Sequence, residues 1–216
     1  MLNSGGFLIT VFLPWVMFAP VLPLSIILFR RIFYTPPALA LVLFCVVTLL
    51  MNGFLFIIRD YKELQGTFLN ISTLFEFIFS ALILRTCTTH KILKYGMVVT
   101  VLVYVSVLLT FDIASGFSQH RAFTGSVGYA LLFIFSLLVL LSQQQNLSRH
   151  LIDLPVFWFA AGIFFQSGLV SFLLLLNHDV QANQLAASSD FGVLFIIIVI
   201  IKFIFFSAGA LVYKNS

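Results

Sequence analysis

The chain has 216 residues, 62% of them hydrophobic and 8% charged, with a mean hydropathy of +1.16. Soluble domains carry about 25% charged residues, so this composition excludes a soluble globular domain and points to an integral membrane protein. The formal charge of +4 comes from short basic clusters between apolar stretches. They read as loop anchors, and no basic run is long enough for nucleic acid.

Seven stretches reach the about 20 residues that a hydrocarbon core of about 30 Å demands of a helix. The opening MLNSGG has no basic run and no small-residue cleavage site follows it, so the first stretch is expected to be a retained helix. It runs from Phe7 to Leu28 and ends at Arg30-Arg31. Pro14, Pro20 and Pro23 should kink or break it. The second runs from Pro36 to Ile58, with Pro36-Pro37 suited to a helix start. A short charged loop, Arg59 to Glu63, leads to the third, Thr67 to Cys87.

The fourth is expected from Tyr95 to Ala114, with Asp112 near its end, and the fifth from Phe123 to Leu141 after a polar turn with His120 and Arg121. Gln143 to Asn146, Arg149, His150 and Asp153 make the next loop. The sixth runs from Pro155 to Asn177. The longest loop, His178 to Asp190, is polar and free of Lys and Arg. The seventh runs from Phe191 to Tyr213. The expected fold is therefore all-α: one domain, 1–216, forming an integral membrane bundle of seven transmembrane helices. Arg30, Arg31, Arg85, Lys91, Lys94, Arg149 and Lys214 fall on one side, and Arg59, Lys62 and Arg121 on the other. The positive-inside rule then puts the N-terminus outside and the C-terminus in the cytoplasm. Tyr34, Tyr95, Trp158 and Tyr213 should form an aromatic belt at the inner interface.

The third stretch carries a carboxylate, Glu76, at its middle, where insertion costs roughly 2.5–3.5 kcal/mol. Asn70, Thr73, Glu76 and Ser80 recur at three- to four-residue steps, which places them on one helix face. In a membrane that face should point into a bundle. Lys202 sits inside the seventh stretch. Counted from the helix ends at about 1.5 Å per residue, the depths of Glu76 and Lys202 differ by about 3 Å. Gln166, mid-way along the sixth stretch, lies at similar depth. Three readings stay open for this group: a structural ion pair that fixes helix register, a ligand, proton or ion site, or single residues that snorkel or stay neutral. Asn52 and Asn70 suit interhelical hydrogen bonds, and the small residues of the sixth and seventh stretches suit close helix approach or a dimer face.

Motifs for catalysis are missing. No GxSxG, Walker loop or CxxC occurs, His90, His120, His150 and His178 lack zinc spacing, and Cys45 and Cys87 read as packing residues or free thiols. An enzyme is unsupported though not excluded, no metal site is implied, and the residues leave the cofactor unknown.

Two resemblances bear on the fold. STLFEF (Ser72–Phe77), PVFWFAAG (Pro155–Gly162) and FFQSG (Phe164–Gly168) resemble a family of small seven-helix membrane proteins of Bacteroidota without assigned function. Its pattern is Leu-Glu-Phe in the third helix and Pro-x-Phe-Trp with a Phe-Ser-Gly-like turn in the sixth. Here Phe75 replaces the Leu and Gln166 precedes Ser167-Gly168. The resemblance implies the fold and the centrality of Glu76, Pro155, Trp158 and Gly168, and implies no activity. A lysine midway down a seventh helix with a carboxylate on the third also resembles retinal proteins, where the lysine forms the Schiff base and the acid is a counterion. Departures are Ile198 one turn before Lys202, where microbial rhodopsins have an Asp, no arginine in the third stretch before Arg85, and no mid-span Trp in the sixth.

The expectation is a non-enzymatic sensor or ligand-binding protein of a bacterial inner membrane. It would signal through a cytoplasmic partner at the inner loops or through a homodimer. The alternative is a small proton-coupled transporter using Glu76, and after it a retinal-binding protein through Lys202.

Overall fold

Long apolar runs without interior proline form uninterrupted helices, and the runs are punctuated where proline or polar clusters stand. The computed structural model describes residues 16–58, 61–115, 121–144, 151–182 and 189–213. Helix α1 covers Val21–Phe29, preceded by a helical turn at residues 16–18. The break between them falls at Ala19-Pro20, and Pro23 is tolerated because it lies in the first turn of α1. Helix α2 is Pro36–Ile57, α3 Lys62–Cys87, α4 Lys91–Ser115, α5 Arg121–Gln144, α6 Pro155–Ala182 and α7 Ser189–Val212. A single 3-10 turn, Leu151–Asp153, precedes α6. Among the described residues there is no strand.

Six of these helices are long and apolar enough to cross a membrane: α2 and α4 to α7, and α3 from Asn70 onward. Helix α2, at 22 residues, spans about 33 Å at about 1.5 Å per residue. Of the first expected span, residues 7–15 lie outside the described residues, and Val16–Phe29 is shorter than a full crossing. Several helices run past their apolar cores. Helix α3 begins at Lys62 rather than Thr67, α4 at Lys91 rather than Tyr95, and α6 continues to Ala182, so most of the expected His178–Asp190 loop is helical or outside the described residues. Hydrogen bonding along the ladder continues after the side chains turn polar, because the backbone gains the same bond per residue there.

The ends are built from local chemistry. Thr35, extended at φ −87° and ψ 140°, precedes Pro36-Pro37, whose missing N–H groups would be unpaired at a helix start. Helix α1 closes with the Ile32 N–H on the Ile27 carbonyl (3.2 Å) and the Arg31 N–H on the Leu28 carbonyl (3.2 Å). Arg31 takes the left-handed position of this turn at φ 54°, where glycine is usual. Arg30 donates to the Ala210 carbonyl (3.2 Å) and the Leu211 carbonyl. It thereby covers carbonyls at the C-terminus of α7, where a cation is favoured.

Helix α3 touches α2, α4, α5 and α6 and forms the centre of the bundle. Helix α6 lies between α5 and α7, and α1 packs against α7 and α2. Helix α4 is peripheral. It turns Met97 and Tyr104 inward and leaves Ile92, Val99, Leu102 and Val103 exposed. Close approach depends on glycine at two places. A Cβ on Gly209 would stand 2.5 Å from the ring of Phe159, and one on Gly162 would stand 3.0 Å from Phe205. Both lie on the α6–α7 seam. The core is aromatic there: Phe206 meets Phe44, Phe159 and Phe203 at centroid distances of 5.9–6.1 Å. Outward, large apolar side chains stay bare, Leu50 at 68% and Leu102 at 63% exposed. Such a surface aggregates in water and is satisfied by lipid. The outer face and the six long helices mark an integral membrane protein.

Candidate functional site

Glu76 stands on the buried face of α3, and the bundle brings three donors to it from three other helices. Lys202 Nζ of α7 donates to Glu76 Oε1 at 2.6 Å. Gln166 Nε2 of α6 donates to the same oxygen at 2.6 Å. The Tyr129 hydroxyl of α5 donates to Oε2 at 2.9 Å. Hydrogen bonds with an ionised partner are about twice as strong as neutral ones, and the acceptor-only carboxylate fits three convergent donors. Lys202 is 2% exposed and Gln166 3%. Two aromatic faces flank the ammonium, with Phe44 and Phe203 centroids 4.7 and 5.0 Å from Nζ. Desolvated cation–π contacts of this kind are worth up to about 2 kcal/mol.

A cavity of about 200 Å³ opens on this pair. Its walls come from α2 (Phe44, Thr48, Asn52), α3 (Ser72, Thr73, Glu76) and α7 (Phe195, Val199, Lys202), with Tyr129 of α5 beside the carboxylate. It extends from Lys202 toward the end of the bundle where α2 finishes and α7 begins, as far as Leu55 and Phe195. Glu76 keeps 21% side-chain exposure, and it lines the cavity. Drug-sized ligands occupy about 300–1,000 Å³, so this space suits something smaller.

The residues singled out in the sequence divide clearly. Glu76, Lys202 and Thr73 line the cavity. Gln166 bonds Glu76 without lining it, so it positions the carboxylate. Asn70 is half-buried, outside the cavity wall. Ser80, one turn beyond Glu76, is 1% exposed, and its hydroxyl has no hydrogen-bond partner among the described residues. Asn52 donates to the Met17 carbonyl at 3.3 Å, tying α2 to the turn before α1. Tyr129 was missed by sequence reasoning. Tyrosine normally collects at membrane interfaces, and its place six residues inside the Phe123–Leu141 stretch is the signal that could have found it. Gly128 beside it gives room to Tyr104 of α4, whose hydroxyl occupies the space a Cβ would need there.

Cys45 and Cys87 are buried free thiols on different helices. Among the described residues no three of His, Cys, Asp and Glu gather as a metal site would require. The side chain of Asp112, the residues His120, Arg149 and His150, and the side chain of His178 lie outside the described ones.

Fold and site together define a class: a polytopic helical membrane protein with a buried ion pair opening on a small polar-floored cavity. No family model, no curated protein and no solved structure matches the chain.

Proposed function

We propose that this chain is a non-enzymatic ligand-binding protein, a membrane sensor, whose site is the Glu76–Lys202 pair and the cavity above it. The cavity itself carries the reading. A pair kept only to fix helix register needs no open space, and close packing would fill it. Here the pair forms one wall of a space with polar groups from four helices. Gln166 and Tyr129 hold the carboxylate from behind and beside, the preorganisation that a binding site needs.

The orientation proposed is N-terminus outside and C-terminus in the cytoplasm, in a bacterial inner membrane. Its support is the cluster of Arg30, Arg31, Arg85, Lys91 and Lys94 at one end of the bundle. On that orientation the cavity extends toward the outer side, and a signal would leave through a partner at the basic end or through a second copy. Membership of the seven-helix family of Bacteroidota is part of the same proposal. Its support is the structural use of the motif residues: Glu76 at the ion pair, Trp158 donating to the Ile152 carbonyl at 2.8 Å, and Gly168 against Phe133.

A proton-coupled carrier is the second reading, because Glu76 is exposed to a cavity that extends toward one end only. Retinal binding draws less support, since Lys202 is engaged by Glu76 and the cavity is small. Native mass spectrometry of protein extracted in mild detergent tests the leading reading. A small non-lipid adduct on the wild type, lost in Glu76→Gln, is expected. A bare protein that instead drives substrate- and proton-dependent flux in liposomes would make it a carrier.

A further inference from the structure

We infer that the cavity takes a neutral molecule about the size of one aromatic ring, held by a hydrogen bond that it accepts from Lys202. This rests on the reading of the cavity as a ligand site and goes on to name the class of ligand. Size comes first. An apolar cavity of roughly 150 Å³ is enough for benzene, and this one is about 200 Å³. Its walls include the rings of Phe44, Phe75, Phe79, Tyr129, Phe195 and Phe203, surfaces that a flat ring can stack against or meet edge-on.

Charge comes second. Glu76 and Lys202 compensate each other at 2.6 Å. An anion would bring a second negative charge to one ammonium, and a cation would face that ammonium directly. A zwitterion would have to part the pair and take Glu76 from Gln166 and Tyr129 as well. In a desolvated site an anion or a cation leaves one charge uncompensated, and a zwitterion, though balanced, has to give up its hydration at two charged ends.

Hydrogen-bond capacity comes third. An ammonium has three donors. Lys202, 2% exposed, gives one to Glu76, and among the described residues its Nζ has no other acceptor. The Thr48 hydroxyl spends its proton on the Phe44 carbonyl of its own helix at 2.8 Å. The ammonium keeps unspent donors, and their complement in a ligand is an acceptor, such as a carbonyl or hydroxyl oxygen, carried by a molecule without net charge.

The test uses the full chain in detergent and fluorine NMR of three probes: 4-fluorobenzamide, 4-fluorobenzoate and 4-fluorobenzylammonium. Thr48→Phe serves as the blocked reference, because it fills the cavity without orphaning a partner, and partition into micelles is the same for both proteins. If its melting temperature shows that it does not fold, Ser72→Phe from the facing wall replaces it. Saturable broadening of the benzamide signal by the wild type is expected, at least tenfold weaker in the blocked variant and at least tenfold weaker for either charged probe. A charged probe that binds as well as benzamide overturns the neutral class and leaves the cavity standing as a ligand site. No difference between wild type and blocked variant for any probe means a cavity that holds only water, and it overturns the inference. The adduct found or not found by mass spectrometry then tells whether the ligand-site reading falls with it.

Discussion

Glu76 and Lys202 are single residues whose meaning depends on each other. Removing one member of a buried pair leaves the other uncompensated, at about 3–5 kcal/mol. The cost here belongs at the lower end, because Glu76 also faces the cavity. Removing both should cost less than the sum. Glu76→Gln and Lys202→Met should each lower the melting temperature in detergent more than the double variant does, and additive losses would show the two to be uncoupled. Ser80 predicts the opposite sign. An unsatisfied buried hydroxyl costs about 1–3 kcal/mol, so Ser80→Ala should leave the melting temperature unchanged or raise it, and a clear loss would mean that the hydroxyl has a partner. The pair and Gln166 were legible in the sequence, because depth along a helix can be counted at a fixed rise per residue. Tyr129 and the cavity were not. Which faces of α2, α5 and α7 turn toward α3 depends on helix rotation and crossing, and one or two polar residues per apolar stretch, such as Thr48 and Asn52 on α2, carry little record of either.

At the scale of the helix, polar flanks blurred the ends while apolar cores marked the middles. The core of α6 ends near Leu175 by composition, yet the helix continues to Ala182. The break at Ala19-Pro20 and the start at Pro36 were legible, since proline acts on the backbone directly. The glycines were legible only as small residues. The structure separates those that packing requires from those it does not. Gly209 has no room for a Cβ, because Phe159 is fully buried and cannot swing away. Gly209→Ala should therefore destabilise by about 1–3 kcal/mol, the usual cost of overpacking. Gly53 on α2 has open space where a Cβ would go. Gly53→Ala should be neutral or gain up to about 1 kcal/mol through helix propensity. Thermal unfolding of the two variants side by side checks the contrast, and equal losses would contradict the packing of α6 on α7.

At the scale of the whole molecule, six long apolar helices among the described residues, α3 central among them, make the bundle, and one end is basic. The proposed orientation predicts that a tag at the N-terminus, or one inserted between Ala182 and Ser189, is reached from outside intact cells, and that a cysteine replacing Lys91 is reached only from inside. An inaccessible N-terminal tag beside an accessible C-terminal one would invert it.

The central claim is that the Glu76–Lys202 pair is kept for binding rather than for folding. The most direct measurement compares the small-molecule adduct on the wild type with that on Glu76→Gln/Lys202→Met, by native mass spectrometry, once both proteins melt within a few degrees of each other. The account predicts a folded double variant that has lost the adduct. A double variant that carries the same adduct at the same occupancy would contradict it, and would reduce the pair to an element of the scaffold.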